Sequence, residues 1–177
     1  YSYLHEYKRE LTEIRKRQKT NIKYWYSCHR SRDMSIFESN RIITPEISLG
    51  CNMTVCGPGI YHNTKVYSIV PKESCKERMS YWLGILNSKL LWWFISNTGY
   101  VLRGGYYVFK TNYLKPFPIK TIDFADLQEV KKHDHMVALV EHMLELHKRT
   151  PQTPYEQELL EREITATDAQ IDRLVYD

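Results

Sequence analysis

Tyr81-Trp82-Leu83-Gly84-Ile85-Leu86-Asn87-Ser88-Lys89-Leu90-Leu91-Trp92-Trp93-Phe94-Ile95 lies near the middle of a 177-residue chain and repeats with the period of a helix. Met79, Leu83, Leu86, Leu90, Trp93 and Phe94 fall at three- and four-residue steps, and the end of the stretch is almost continuously apolar. The spacing predicts a helix over 74–97 that belongs inside a domain. Its longest apolar run, 90–95, is far short of the roughly 20 residues a membrane-spanning helix needs.

On the N-terminal side the texture changes to short runs rich in Tyr, Ile and Val at 23–27, 41–44, 53–56 and 65–70. Pro45, Gly50, Gly57-Pro58-Gly59 and Asn63 separate them, so each reads as a strand bounded by a turn. Further out, Leu4, Tyr7, Leu11 and Ile14 make 3–19 an amphipathic helix whose other faces carry Lys8, Arg9, Arg15, Lys16 and Arg17. On the C-terminal side Arg103-Gly104-Gly105 supplies a turn before a strand at 106–110, and Pro116 and Pro118 stop regular structure. The expected fold class is α+β: a twisted β-sheet or partial barrel around a central buried helix.

Beyond Lys120, Asp123 is placed to cap a helix running to about 148, with Leu127, Val130, Val137, Val140 and Leu144 on its apolar side. Thr153-Pro154-Tyr155-Glu156 has the form of a capping box with Pro at the first helical position, and opens a second helix through Leu160, Ile164, Ile171 and Leu174. Two long helices with a short link are expected to lie antiparallel. The expected organisation is one domain over 1–120 and a helical hairpin over 121–177 that acts as a spacer or docking element.

The same division separates charge. Residues 1–120 hold 19 Lys and Arg against 8 Asp and Glu, a balance of +11, whereas residues 121–177 hold 6 against 13, a balance of −7. Only the first part suits a polyanion, and a basic, ring-rich domain suggests phosphate-backbone binding. The bland alternative is a solvated basic surface. At its start, Tyr1-Ser2-Tyr3, the chain has no initiator Met and no basic stretch followed by an apolar one, so the expectation is a piece of a longer polypeptide with no signal peptide at this end.

Cys28, Cys51, Cys56 and Cys75 include no Cys-x-x-Cys pair, so reduced thiols in a cytoplasmic protein are expected over disulfides or a zinc site with His29 or His62. Catalytic patterns are missing: there is no Gly-rich phosphate loop, no Gly-x-Gly-x-x-Gly, no His-Glu-x-x-His and no acid-and-lysine set of a metal-dependent nuclease. The two glycine clusters read as turns. His135 and His142 share a helical face, with a metal pair as the alternative to solvated or interfacial histidines, and Glu141 and Glu145 read as a solvated pair.

Cations interleaved with aromatics are the better lead. Lys23, Tyr26, Arg30 and Arg32 lie in or after the first strand; Tyr61, Asn63 and Lys65 surround a hairpin-like turn; Arg103, Tyr106, Lys110 and Asn112 surround the Gly-Gly turn. Arg can pair in bidentate fashion with guanine and Asn with adenine, while Lys and Tyr reach phosphate oxygens. These eleven residues are the candidate DNA contacts, against the alternative of aromatics in the core and charges at its rim.

The run 81–95, then Arg103-Gly104-Gly105-Tyr106-Tyr107-Val108-Phe109, then Tyr113-Leu114-Lys115-Pro116-Phe117-Pro118-Ile119 resembles the TaqI-like C-terminal specificity domain of type IIG restriction-modification enzymes and related DNA adenine methyltransferases. A Lys-x-x-Leu helix, a Trp-bearing strand and the segment Arg41-Ile42-Ile43-Thr44-Pro45-Glu46-Ile47 precede it in the order that family shows. The resemblance implies a target recognition domain that reads a short duplex sequence for a catalytic domain in the same polypeptide. That neighbour would flip an adenine and methylate it with S-adenosylmethionine. Its Asn-Pro-Pro-Tyr and cofactor-loop motifs are missing from this chain, so no cofactor and no catalysis are expected here. Asn87 is expected to satisfy backbone groups rather than bases. A protein-interaction module that docks a partner subunit through the hairpin is the alternative function, with a metal-dependent nuclease third.

Overall fold

In a computed structural model, residues 2–20, 23–26 and 33–176 are described, and they fall into two compact units, 1–35 and 36–177. In the first unit the helix expected over 3–19 is two helices, α1 (Ser2–His5) and α2 (Lys8–Gln18), parted by a turn at Glu6 and Tyr7. α2 ends with Lys19 in the left-handed region, where Thr20 N–H donates to Arg15 O at 3.0 Å. Arg15, expected on the solvated basic face, is buried and its Nε donates to Trp25 O at 2.8 Å. Residues 23–26 form a turn instead of the expected strand, because Trp25 buries itself edge-on to His5 and Tyr26 while its carbonyl is taken by Arg15.

A single turn of helix, α3 (Met34–Phe37), precedes the strands. β1 (Arg41–Pro45) is the middle strand of a three-stranded antiparallel sheet, flanked by β3 (Thr54–Cys56) and β4 (Val66–Ile69). Ile42 lies opposite Val55 on one side and Ile69 on the other. β2 (Ile47–Ser48) pairs instead with β5 (Tyr107–Val108), so the chain leaves one sheet and joins another at Glu46. Two main-chain bonds fasten that crossing. Glu46 N–H donates to Lys65 O and Phe109 N–H donates to Glu46 O, each at 2.8 Å. The α+β class stands, with the strands divided between these two small sheets.

The helix expected over 74–97 starts at Met79 and breaks at Ser88 into α4 (Met79–Asn87) and α5 (Lys89–Thr98). Ser88 has an extended backbone, and its Oγ both donates to Ile85 O at 2.7 Å and accepts from Leu91 N–H. A serine that bonds nearby backbone in this way competes with the helical ladder and caps the next helix. Asp172 holds the break from outside, accepting from Lys89 N–H at 2.8 Å. Of the expected apolar side, Leu83 and Leu86 are buried in the main apolar cluster and Met79, Leu90 and Phe94 pack against it, whereas Trp93 is 61% exposed because the break at Ser88 turns Ile85, Leu91 and Ile95 into the core instead. At about 1.5–3 kcal/mol for each large apolar side chain removed from water, burial of this kind is what holds the two helices against the sheets.

After the single-turn α6 (Thr111–Leu114), the hairpin consists of α7 (Leu127–Leu146) and α8 (Pro154–Tyr176). Its first cap is Asp126, which accepts from Gln128 N–H at 2.8 Å; Asp123, the expected cap, serves the preceding turn through Ala125 N–H. The capping box forms, with Glu156 N–H donating to Thr153 Oγ1 and Thr153 N–H to Glu156 Oε2, both at 3.2 Å. Met136, Val137, Val140 and Ile171 of the hairpin share one core with Ile42, Leu83 and Phe109. The change of charge at Lys120 therefore falls inside a packed unit. α4 and α7 meet at Gly84, where a Cβ would lie 2.7 Å from Met136 Sδ and 2.9 Å from Val140 Cγ2. No helix among the described residues is long and apolar enough to cross a membrane.

Candidate nucleic-acid interface

Packing of the hairpin decides which cations of the basic part stay available. Arg78 pairs with Glu141 at 2.8 Å, Lys89 with Asp172 at 2.7 Å, and Lys120 with Glu129 at 2.6 Å. The Lys120 ammonium and then the Asp123 backbone N–H hold the Glu129 carboxyl below the usual carboxylate range. Hydrogen bonding to Asp172 raises the Lys89 ammonium above the usual lysine range. The acids of α7 and α8 thus spend part of their charge on cations of α4, α5 and the segment before α7. Among the described residues, Lys65 and Lys110 beside the sheets pair with Glu46 and not with an acid of the hairpin.

There the two small sheets bring Lys65 and Lys110 to one carboxylate. Glu46, whose side chain is 12% exposed, holds Lys65 Nζ at 3.0 Å on one oxygen and Lys110 Nζ at 2.9 Å on the other. The Lys110 ammonium, followed by that of Lys65, pulls the Glu46 carboxyl below the usual range, and the same contact raises Lys110. Sequence reading named both lysines and missed the acid between them. The readable signal was that Glu46 is the one acid between Glu38 and Glu73. Lys110, Asn112 and Tyr100 line a cleft of about 400 Å³ beside it.

Arg103 and Tyr106 are exposed on the turn before β5, closed by Leu102 N–H donating to Tyr106 O at 2.7 Å. Gly104 and Gly105 have φ of +88° and +80°, a region other residues rarely enter, which explains the glycine pair without a phosphate cradle. From Tyr106 to Lys110 the chain advances four residues, so at roughly 3.3 Å each the two ends of this edge lie on the order of 13 Å apart.

Tyr61 and Asn63 are on the loop before β4 and have structural work. The Tyr61 ring stacks on Phe37 at 5.1 Å and its hydroxyl donates to Glu38; Asn63 Oδ1 accepts from Lys65 N–H at 2.9 Å. Arg41 secures this loop from beneath. It is wholly buried, pairs with no carboxylate, and donates to the carbonyls of Phe37, Ser39, Gly57 and Ile60. In the other unit Lys23 lies over the Tyr24 ring at 5.3 Å and Tyr26 is exposed. Arg30 and Arg32 lie outside the described residues.

Among the described residues no group of three or more His, Cys, Asp or Glu side chains is placed to hold a metal ion, and His142 meets Glu163 at 3.2 Å instead. Cys51, Cys56 and Cys75 are free, and burial pushes the Cys51 thiol up to about 12.

The described residues thus form an α+β core that carries lysine, arginine, asparagine and tyrosine on the turns and loops beside two small sheets. The chain belongs to the TaqI-like C-terminal specificity domain family, which matches residues 2–119. Over 157 residues it is 26% identical to the type II restriction enzyme and methyltransferase RM.Eco57I of Escherichia coli; the match covers 85% of this chain and 16% of that protein.

Proposed function

We propose that this chain binds duplex DNA in a sequence-dependent way, as the specificity part of a type IIG restriction-modification polypeptide whose remainder methylates adenine with S-adenosylmethionine. The chain spans 16% of the relative it matches, so catalysis and cofactor are assigned to the rest of such a polypeptide and none to this fragment. A cytoplasmic setting follows from the same reading. The supporting observation is the joint one of family membership and the placement of Lys65 and Arg103 on turns, Lys110 just beyond β5 and Asn112 on α6, while the hairpin acids engage Arg78, Lys89 and Lys120. On this reading the lysines and Tyr106 meet phosphates, and Arg103 and Asn112 are the residue types suited to base edges.

Fluorescence polarisation of a labelled random-sequence duplex tests it. Each neutralised phosphate steepens the fall of log affinity with log salt by about 0.9. A steep fall is expected. Absent binding at low salt, or a flat response, would favour the second reading: a docking module that uses the hairpin, on which Leu127, Tyr155 and Tyr176 are exposed to 74%, 69% and 62%.

A further inference from the structure

We infer that Glu46 is a positioning residue that governs how much positive charge the Lys65 and Lys110 pair offers to DNA phosphates; this rests on the DNA-binding reading above. Glu46 is fixed at both backbone ends, through Lys65 O on the β4 side and Phe109 N–H on the β5 side, where the chain passes from one sheet to the other, and its carboxylate takes up its position through its ion pairs. That place is between two ammonium groups from different sheets, at 3.0 and 2.9 Å. Lys65 and Lys110 remain 71% and 43% exposed, so each keeps donors free for a second oxygen while one donor is held.

The consequence is a charge count. Two lysines and one carboxylate carry a net single positive charge, so the trio yields the counterion release of one phosphate contact instead of two. An unpaired lysine pair would grip any backbone equally well, whatever its sequence. Glu46 limits that indiscriminate affinity while it holds both ammonium groups in a defined geometry, which a flexible lysine in water lacks. Discrimination is a difference of affinities, which a uniform loss leaves unchanged, so Glu46 sets how tightly the chain holds any duplex and leaves the choice of sequence to base contacts.

The test is the salt dependence of binding to a random-sequence duplex, measured on the full 177-residue chain. Glu46→Gln removes the charge while retaining shape and should bind more tightly at low salt, with a slope steeper by about 0.9; Lys65→Gln leaves a neutral pair and should be shallower by about the same amount. Glu46→Asp keeps the charge and should return the slope to that of the parent chain. Glu145→Gln, the same charge change on the hairpin, should leave it unaltered. If Glu46→Gln and Glu145→Gln give the same slope, the inference is overturned while DNA binding stands. If the parent chain fails to bind at low salt, DNA binding itself fails. Should Glu46→Gln not fold by circular dichroism, the exposed Lys65→Gln variant decides, and an unchanged slope there overturns the inference.

Discussion

Asn87 and Met53 exchange two hydrogen bonds: Met53 N–H donates to Asn87 Oδ1 at 2.9 Å, and Asn87 Nδ2 donates to Met53 O at 3.0 Å. One side-chain amide thus does for the chain entering β3 what a neighbouring strand would do, and ties that chain to the last residue of α4. Asn87→Ala leaves a part-buried backbone donor and acceptor unpaired, at about 1–3 kcal/mol each way of counting the loss. Faster hydrogen exchange at the Met53 amide and a lower denaturation midpoint are expected; unchanged exchange would show that this clamp is idle.

Gly84 is where α4 and α7 come closest, so its missing side chain decides whether the hairpin seats. Gly84→Val places branched carbon where Met136 Sδ and Val140 Cγ2 already stand. Overpacking of that kind costs about 1–3 kcal/mol, more than the helix propensity a valine regains. Urea unfolding followed by tryptophan fluorescence reads the loss, and a variant as stable as the parent would mean that α7 sits further away than the contacts imply.

Arg41→Met should be among the most damaging single changes in the sheet. The methionine fills the volume, yet four carbonyls, those of Phe37, Ser39, Gly57 and Ile60, lose their donor. With unsatisfied buried groups at about 1–3 kcal/mol, a loss of roughly 3 kcal/mol or more is expected. Protease cleavage within residues 57–63 should accelerate before global unfolding. Equal cleavage rates would show that the loop is held without Arg41.

Acid should weaken the fold through two glutamates. Glu46 and Glu129 are both held below their ordinary value of 4.5, by Lys110 and Lys120 respectively as the largest causes. The unfolded chain therefore binds protons first. Their contribution is complete above about pH 4.5 and is lost as pH falls through the lower folded values. The thermal midpoint should drop between pH 5 and pH 3, and should drop less in the double variant Glu46→Gln, Glu129→Gln. Equal slopes in the two proteins would show that other groups control acid unfolding.

Much of this architecture was legible before any coordinate. The α+β class, the strands expected at 41–44, 53–56 and 65–70 and found at 41–45, 54–56 and 66–69, the capping box at Thr153 and the Arg-Gly-Gly turn all follow from patterns that span a few residues. The errors share a cause. Helix period in 74–97 gives no warning that Ser88 will turn its hydroxyl back to Ile85 and that Asp172 will hold Lys89 N–H. Aromatic content in 23–26 suggested a strand because the residues themselves cannot show that Arg15 will take the Trp25 carbonyl. For the candidate interface, residue type picked out Lys65 and Lys110, but nothing local reveals that they share Glu46.

From the linear chain alone came the periodicities, the caps, the turns and the opposed charges of the two parts, because each is a property of neighbours along the backbone. Tertiary structure alone decided which partner each charge meets: hairpin acids for Arg78, Lys89 and Lys120, a single shared Glu46 for Lys65 and Lys110, and four neutral carbonyls for Arg41. The physical reason is that Coulomb and hydrogen-bond energies fall off within a few ångströms, so a charge acquires its meaning only when folding brings a distant partner into that range.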